Sequence, residues 1–149
     1  MKITAKTILD AIVFLLMLLF IYAAVFKLLD FSSFKIYIGA SPIGKSLAVT
    51  FALGIPLVEL CVAYLLFTPR FRRIGLYASL LLMLGFTAYI GYYALFDIAQ
   101  RPCACGGILN NMEWTEHLIF NIVFVLLAVV GIVLHINKTR NEYNAAVSY

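Results

Sequence analysis

Apolar residues gather in four long runs, at 8 to 28, 47 to 67, 74 to 96 and 115 to 136, with turn or charge signals between each pair. A bilayer core of about 30 Å needs about 20 apolar residues per helix, and each run meets that length. The pattern predicts an all-α membrane protein: one transmembrane domain over 1–149, folded as a four-helix bundle. The first run follows Lys2 and Lys6 as a secretory signal would. Its apolar stretch exceeds the ~7 to 15 residues of a signal core, and no small-x-small cleavage site precedes a soluble domain, so it is read as a retained helix.

The connections differ in character. Residues 31–45, FSSFKIYIGASPIGK, are too apolar for a solvated loop and too short to span. They are expected to form a short amphipathic or re-entrant segment in the membrane interface, with Phe31, Phe34 and Tyr37 as anchors and Ser41, Pro42 and Gly44 ending it. Thr68 to Arg73 reads as a tight basic turn that Pro69 prevents from continuing as helix, making the second and third helices a hairpin. In the third helix Gly75, Ser79, Gly85 and Gly91 offer close backbone approach, and Tyr89, Tyr92 and Tyr93 suit an aromatic belt. The polar tail after Ile136 is assigned no role.

Composition strengthens this picture. Hydrophobic residues make up 64% of the 149 and charged residues 12%, against roughly half and one quarter in soluble domains. Charge then sets sidedness, because Lys and Arg are retained on the cytoplasmic side. With four crossings, Lys2, Lys6, Arg70, Arg72, Arg73, Lys138 and Arg140 share one side. Lys27, Lys35, Lys45 and Arg101 share the other, accompanied by Asp30, Asp97, Glu113 and Glu116. Both termini are therefore expected in the cytoplasm (N-in/C-in), with the 97–114 loop outside. This topology accounts for the net charge of +4 without a nucleic-acid partner.

That outer loop carries the main candidate chemistry. Cys103 and Cys105 stand two residues apart, followed at once by Gly106 and Gly107. A bridge between them closes a very small ring, departs from relaxed disulfide geometry and is readily reduced, which suits exchange better than scaffolding. The glycines leave the sulfurs unshielded, and Pro102 stiffens the approach. Asn110 and Glu113 have capping-box spacing before the last helix. A helix N-terminus near the loop, or a protonated His117, favours thiolate. Trp114, His117 and Asn121 share one helix face, with His117 as proton carrier and Asn121 fixing its tautomer or donating to a bound group.

Plainer roles stand beside these. The cysteines could be a passive staple or free thiols, although so short a loop yields little stabilisation. His117 could simply mark where the helix enters the membrane, Asn121 could be interhelical glue, and Trp114 an interface anchor. Cys61 is expected to be a small buried apolar residue, and His135 solvated. Glu59, an ionisable residue near mid-bilayer, is a functional candidate by default. Its potential partner Lys27 lies more than ~10 Å away in depth by a rise of 1.5 Å per residue, so direct pairing is not expected. Glu59 is left as a protonated hydrogen-bonding group, near the break Pro56 causes, or as a proton carrier.

Three stretches resemble the MauE and DoxX-like membrane proteins, four-helix proteins associated with redox reactions: AAVFKLLDFSSF (23–34), IPLVEL (55–60) and, above all, PCACGG (102–107) before a final helix. The resemblance implies that Cys103 and Cys105 match the family's reactive pair. It implies a part in disulfide formation outside the cytoplasm, in a bacterial inner membrane, alongside thioredoxin-like or other thiol proteins. Quinone-dependent sulfur oxidation in DoxX-like relatives suits electrons leaving through the membrane. The Cys-x-x-Cys spacing of four-helix thiol oxidases is missing, as are haem-attachment and dinucleotide motifs, so no cofactor is built in and a diffusing quinone is the acceptor left. The competing readings are a Cu(I) or Zn(II) protein using Cys103, Cys105, His117 and Met112, and a non-catalytic membrane subunit of a redox complex.

Overall fold

The fold is described from a computed structural model, in which residues 5–39, 45–95 and 114–147 are placed. The described residues form five helices: α1 (Ala5–Leu29), α2 (Phe31–Gly39), α3 (Ala48–Phe67), α4 (Arg72–Leu95) and α5 (Trp114–Val147). Four of them, α1, α3, α4 and α5, are long and apolar enough to cross a membrane. They pack in the cyclic order α1, α3, α4, α5, with α5 returning to α1, and α2 leans on α3.

The core is a contiguous set of side chains from all four long helices: Leu9, Ile12, Leu16 and Phe20 of α1, Val62 and Leu66 of α3, Leu76 and Met83 of α4, Ala128 and Ile132 of α5. Equally bulky residues point outwards, among them Leu81 at 74% exposure and Phe67 at 70%. A water-soluble protein does not leave so much apolar surface uncovered; lipid covers it here. Because lipid tails are as apolar as leucine, close packing and polar contacts hold such helices together.

Small residues show where that packing is tightest. A Cβ on Gly75 would stand 2.8 Å from the Leu66 backbone nitrogen, so α4 crosses the end of α3 backbone to backbone. Gly131, which the sequence reading passed over, holds α5 against Leu76 and Ile12, whose methyl groups lie 3.1 and 3.2 Å from its virtual Cβ. Ser79 is buried and its hydroxyl donates to the Gly75 carbonyl at 2.7 Å. Gly85 instead has nothing within 4 Å of its virtual Cβ, and Gly91 meets only the Leu118 side chain at 3.7 Å. Gly75→Ala should therefore destabilise by about 1–3 kcal/mol, the usual range for overpacking. Gly85→Ala should gain up to about 1 kcal/mol from helix propensity. Paired melting curves in detergent check this; a Gly75 variant as stable as the Gly85 variant would contradict the crossing.

Several expectations need correcting. α2 is a helix, but Phe34 is no headgroup anchor: it is buried with Ile38 against Ala48 and Ala52 of α3, with Phe31 and Ile55 partly buried beside them. The polar tail after Ile136 is helical as well, continuing α5 to Val147 with Lys138 and Glu142 one turn apart at 3.8 Å. Cys61 is exposed, not buried. It lies two residues from inward-facing Glu59, about 200° round the helix. Ser41, Pro42 and Gly44 lie outside the described residues.

Candidate functional site

The α2 end of the bundle combines one buried ion pair with two buried polar side chains of α5. Lys27 continues the inward stripe of α1 formed by Leu16, Phe20, Ala23 and Ala24. Glu59 occupies the inward stripe of α3 with Pro56, Val62, Ala63 and Leu66. The two are 6% and 0% exposed, and the Lys27 ammonium donates to Glu59 Oε1. The ammonium also lies 5.0 Å from the Phe86 ring centroid and 5.9 Å from that of Phe34, within range of cation–π attraction. Side chains of α1, α2, α3 and α4 thus meet around one cation. Glu59 Oε2 is buried with no hydrogen-bond partner among the described residues.

This overturns the expectation that Lys27 and Glu59 lie too far apart. The depth count assumed that α3 begins level with the end of α1. Instead the first turns of α3, at Ala48 and Ala52, pack beside α2. The side chains then close the remaining gap, because each leans toward the N-terminus of its own helix. On antiparallel helices, Lys27 leans into the membrane and Glu59 leans out of it. The clue in the sequence was periodicity: Lys27 stands three residues after Ala24 and seven after Phe20, on the buried face.

On α5, His117 and Asn121 are 3% and 4% exposed, so the predicted shared face is an inward one. The Asn121 amide donates to the His117 backbone carbonyl at 3.1 Å, so this bond goes to the backbone and not to the imidazole. The His117 ring stands edge-on to Phe120, with centroids 6.5 Å apart and planes at 79°. Trp114 opens the helix, but its side chain lies outside the described residues. So do Cys103, Cys105, Gly106, Gly107, Met112 and the Asn110–Glu113 cap. Among the described residues no group of three or more His, Cys, Asp or Glu side chains could hold a metal ion, and of the alternative ligand set only His117 is described.

At the opposite end, His135 is only partly exposed and its Nδ1 is buried with no hydrogen-bond partner among the described residues, so it is not a freely solvated side chain.

The sequence matches the family model described as methylamine utilisation protein MauE over residues 5–134. Comparison with curated proteins and with solved structures gives no match. The matched region contains Lys27, Glu59, Cys103, Cys105, His117 and Asn121. The chain belongs to the MauE family of redox-associated membrane proteins.

Proposed function

We propose that this MauE-family chain is a membrane thiol–disulfide redox protein. Cys103 and Cys105 cycle between dithiol and disulfide in exchange with a thioredoxin-like or other substrate protein, and a membrane quinone takes the electrons. The observation that carries this reading is the family match across the Cys103–Gly107 stretch and the helix that follows it. Support comes also from the buried His117 and Asn121 in the first turns of that helix. Polar side chains inside a membrane bundle are costly and by default functional.

The chemistry balances without a resident cofactor. A substrate dithiol attacks the Cys103–Cys105 disulfide, passes through a mixed disulfide and leaves oxidised, while the pair becomes a dithiol. Transfer of two electrons and two protons from that dithiol to a quinone restores the disulfide and yields a quinol. The attacking species is a thiolate, so protons must be removed and returned, and His117 is assigned that task. Sidedness rests on Lys6, Arg70, Arg72, Arg73, Lys138 and Arg140: retained in the cytoplasm, they put the cysteines outside, where disulfides persist in a bacterial periplasm.

Alkylation trapping in intact membranes tests the proposal. The Cys103–Cys105 pair should shift from disulfide to dithiol when quinone is depleted. A Cys105→Ser or Cys103→Ser variant should accumulate a mixed disulfide with its substrate. One redox state fixed under every condition, with the pathway unaffected by serine at both positions, would leave the non-catalytic subunit as the correct description. Purified reduced protein carrying stoichiometric copper or zinc would favour the metal reading.

A further inference from the structure

α2 rests at its end of the bundle on a seat of its own. The main core draws its buried side chains from α1, α3, α4 and α5, and from no described residue of α2. α2 belongs instead to a second, smaller cluster, in which Phe34 and Ile38 rest on the methyl groups of Ala48 and Ala52, with Phe31 and Ile55 partly buried at its edge. At the end of the helix Gly39 rides on the start of α3: a Cβ there would stand 3.5 Å from Ala48 Cβ. The other face of α2, with Ser32, Lys35 and Ile36, is exposed. A single non-helical residue, Asp30, joins α2 to α1, and its carbonyl accepts from the Phe34 N–H at 3.0 Å.

We propose that α2 is a hinged cover that lifts from α3 and lets water reach the Lys27–Glu59 pair. The seat continues directly into the site: Ala48, Ala52, Pro56 and Glu59 form one buried stripe of α3, so uncovering the first two opens the way to the last. Phe34 belongs to both, packing on the alanines and facing the Lys27 ammonium. The closed arrangement leaves Glu59 Oε2 buried with no hydrogen-bond partner among the described residues, a state few buried polar atoms keep. Water entering beneath α2 supplies the missing donor and offsets part of the contact that lifting loses. The pair outlasts the movement, because Glu59 and Phe86 lie on α3 and α4 and keep hold of Lys27. A short element seated outside the main core is the kind that opens locally while the rest of a fold stays closed, and hinges fall at element-terminal residues such as Asp30. Lifting α2 gives the aqueous phase on its side an intermittent route to a buried carboxylate, along which protons exchange.

The cover stands without the redox reading, and its test leaves the redox chemistry out: the full chain carries Cys61→Ser, Cys103→Ser and Cys105→Ser. In that background Gly39→Cys with Ala48→Cys puts two thiols at the Cβ separation of roughly 3.5–4.5 Å that a disulfide needs, and closing the bridge pins α2 to α3. Acylation by a water-soluble succinimidyl ester in detergent, read by peptide mass spectrometry, compares Lys27 with exposed Lys35 and Lys45. With the bridge reduced, Lys27 should be labelled slowly but to completion. With it closed, Lys27 labelling should fall about tenfold or more, since it tracks the population of the open form, while Lys35 and Lys45 stay unchanged. Equal Lys27 labelling in both states, or none in either, would overturn the proposal. If the bridge does not form, single reporters take its place: Ala52→Cys under α2 and Ala63→Cys in the main core, each treated with a water-soluble maleimide. The first should react and the second should not. Phe34→Ala should speed the first, whereas Ile36→Ala, on the exposed face of α2, should leave it as it was. Equal reaction at both positions would mean a generally loosened bundle, and no reaction at position 52 a seat that stays shut; either result overturns the cover.

Discussion

Lys27→Met should destabilise the bundle by about 3–5 kcal/mol, the usual cost of removing one member of a buried ion pair. The substitution keeps an unbranched side chain of similar length and leaves the Glu59 carboxylate buried at 0% exposure with neither oxygen matched. The cost comes from the orphaned charge, not from lost packing, and a second substitution separates the two. Lys27→Met combined with Glu59→Leu removes both charges, and should recover most of the loss, since apolar replacement of a whole buried pair is often neutral. Glu59→Gln should fall between them, because its amide can still accept from Lys27 without a formal charge. Unfolding by detergent titration in mixed micelles supplies the comparison. A Lys27→Met protein as stable as wild type would mean that the pair does not form, and a double variant worse than either single one would contradict the desolvation argument.

If the double variant is as stable as expected, stability alone does not account for the pair. What the ionic pair adds is register. Apolar stripes on α1 and α3 could slide by a turn with modest loss, whereas a slide would separate Lys27 from Glu59 and from the rings of Phe34 and Phe86 at once. A single buried polar contact that fixes alignment is the best-attested use of such groups.

The four spanning helices were legible because length and hydropathy alone determine them. Run boundaries at 47 to 67 and 74 to 96 agree within a residue or two with Ala48–Phe67 and Arg72–Leu95. What apolar length does not determine is how far one helix overshoots its neighbour. That depends on α2, whose Phe34 and Ile38 pack on the first turns of α3, whereas α3 was counted as starting level with the end of α1. From that error in vertical register came the mistaken separation of Lys27 and Glu59. Cys61 was misjudged for a related reason: within an all-apolar helix, hydrophobicity does not tell the inward face from the lipid face. The ionisable residue does, and counting from Glu59 would have turned Cys61 outwards. The helical extension to Val147 was hidden because a polar helix beyond the membrane has no apolar run. Asp10, embedded in the first run, went unread although Arg72 holds it. At the candidate site, the shared face of His117 and Asn121 followed from i, i+4 spacing alone, while the partner of the Asn121 amide, a backbone carbonyl four residues back, did not.

That carbonyl contact bears on the second large expected effect. Under the proposed function, His117→Gln should slow thiol–disulfide exchange at the Cys103–Cys105 pair by about 100- to 10,000-fold, the range that general acid–base help contributes. Glutamine is polar and can sit in the same 3%-exposed position, but it cannot carry a proton. The Asn121 amide would still reach the residue 117 carbonyl, which belongs to the backbone, so the helix should remain intact and the melting temperature should move little. Asn121→Leu makes the complementary change. It deletes that amide and leaves the imidazole, and because the bond ends on the backbone it should alter exchange by less than about tenfold if Asn121 braces the helix without donating to the reacting groups. Rates come from quenching the reoxidation of the reduced pair with maleimide at timed intervals, with and without imidazole in the buffer. Partial rescue of His117→Gln by imidazole would identify proton transfer as the missing step. An unchanged rate in His117→Gln would assign the proton to another group and leave His117 as a packing residue against Phe120. A loss in Asn121→Leu as large as that in His117→Gln would mean that the two act as one unit at the sulfurs.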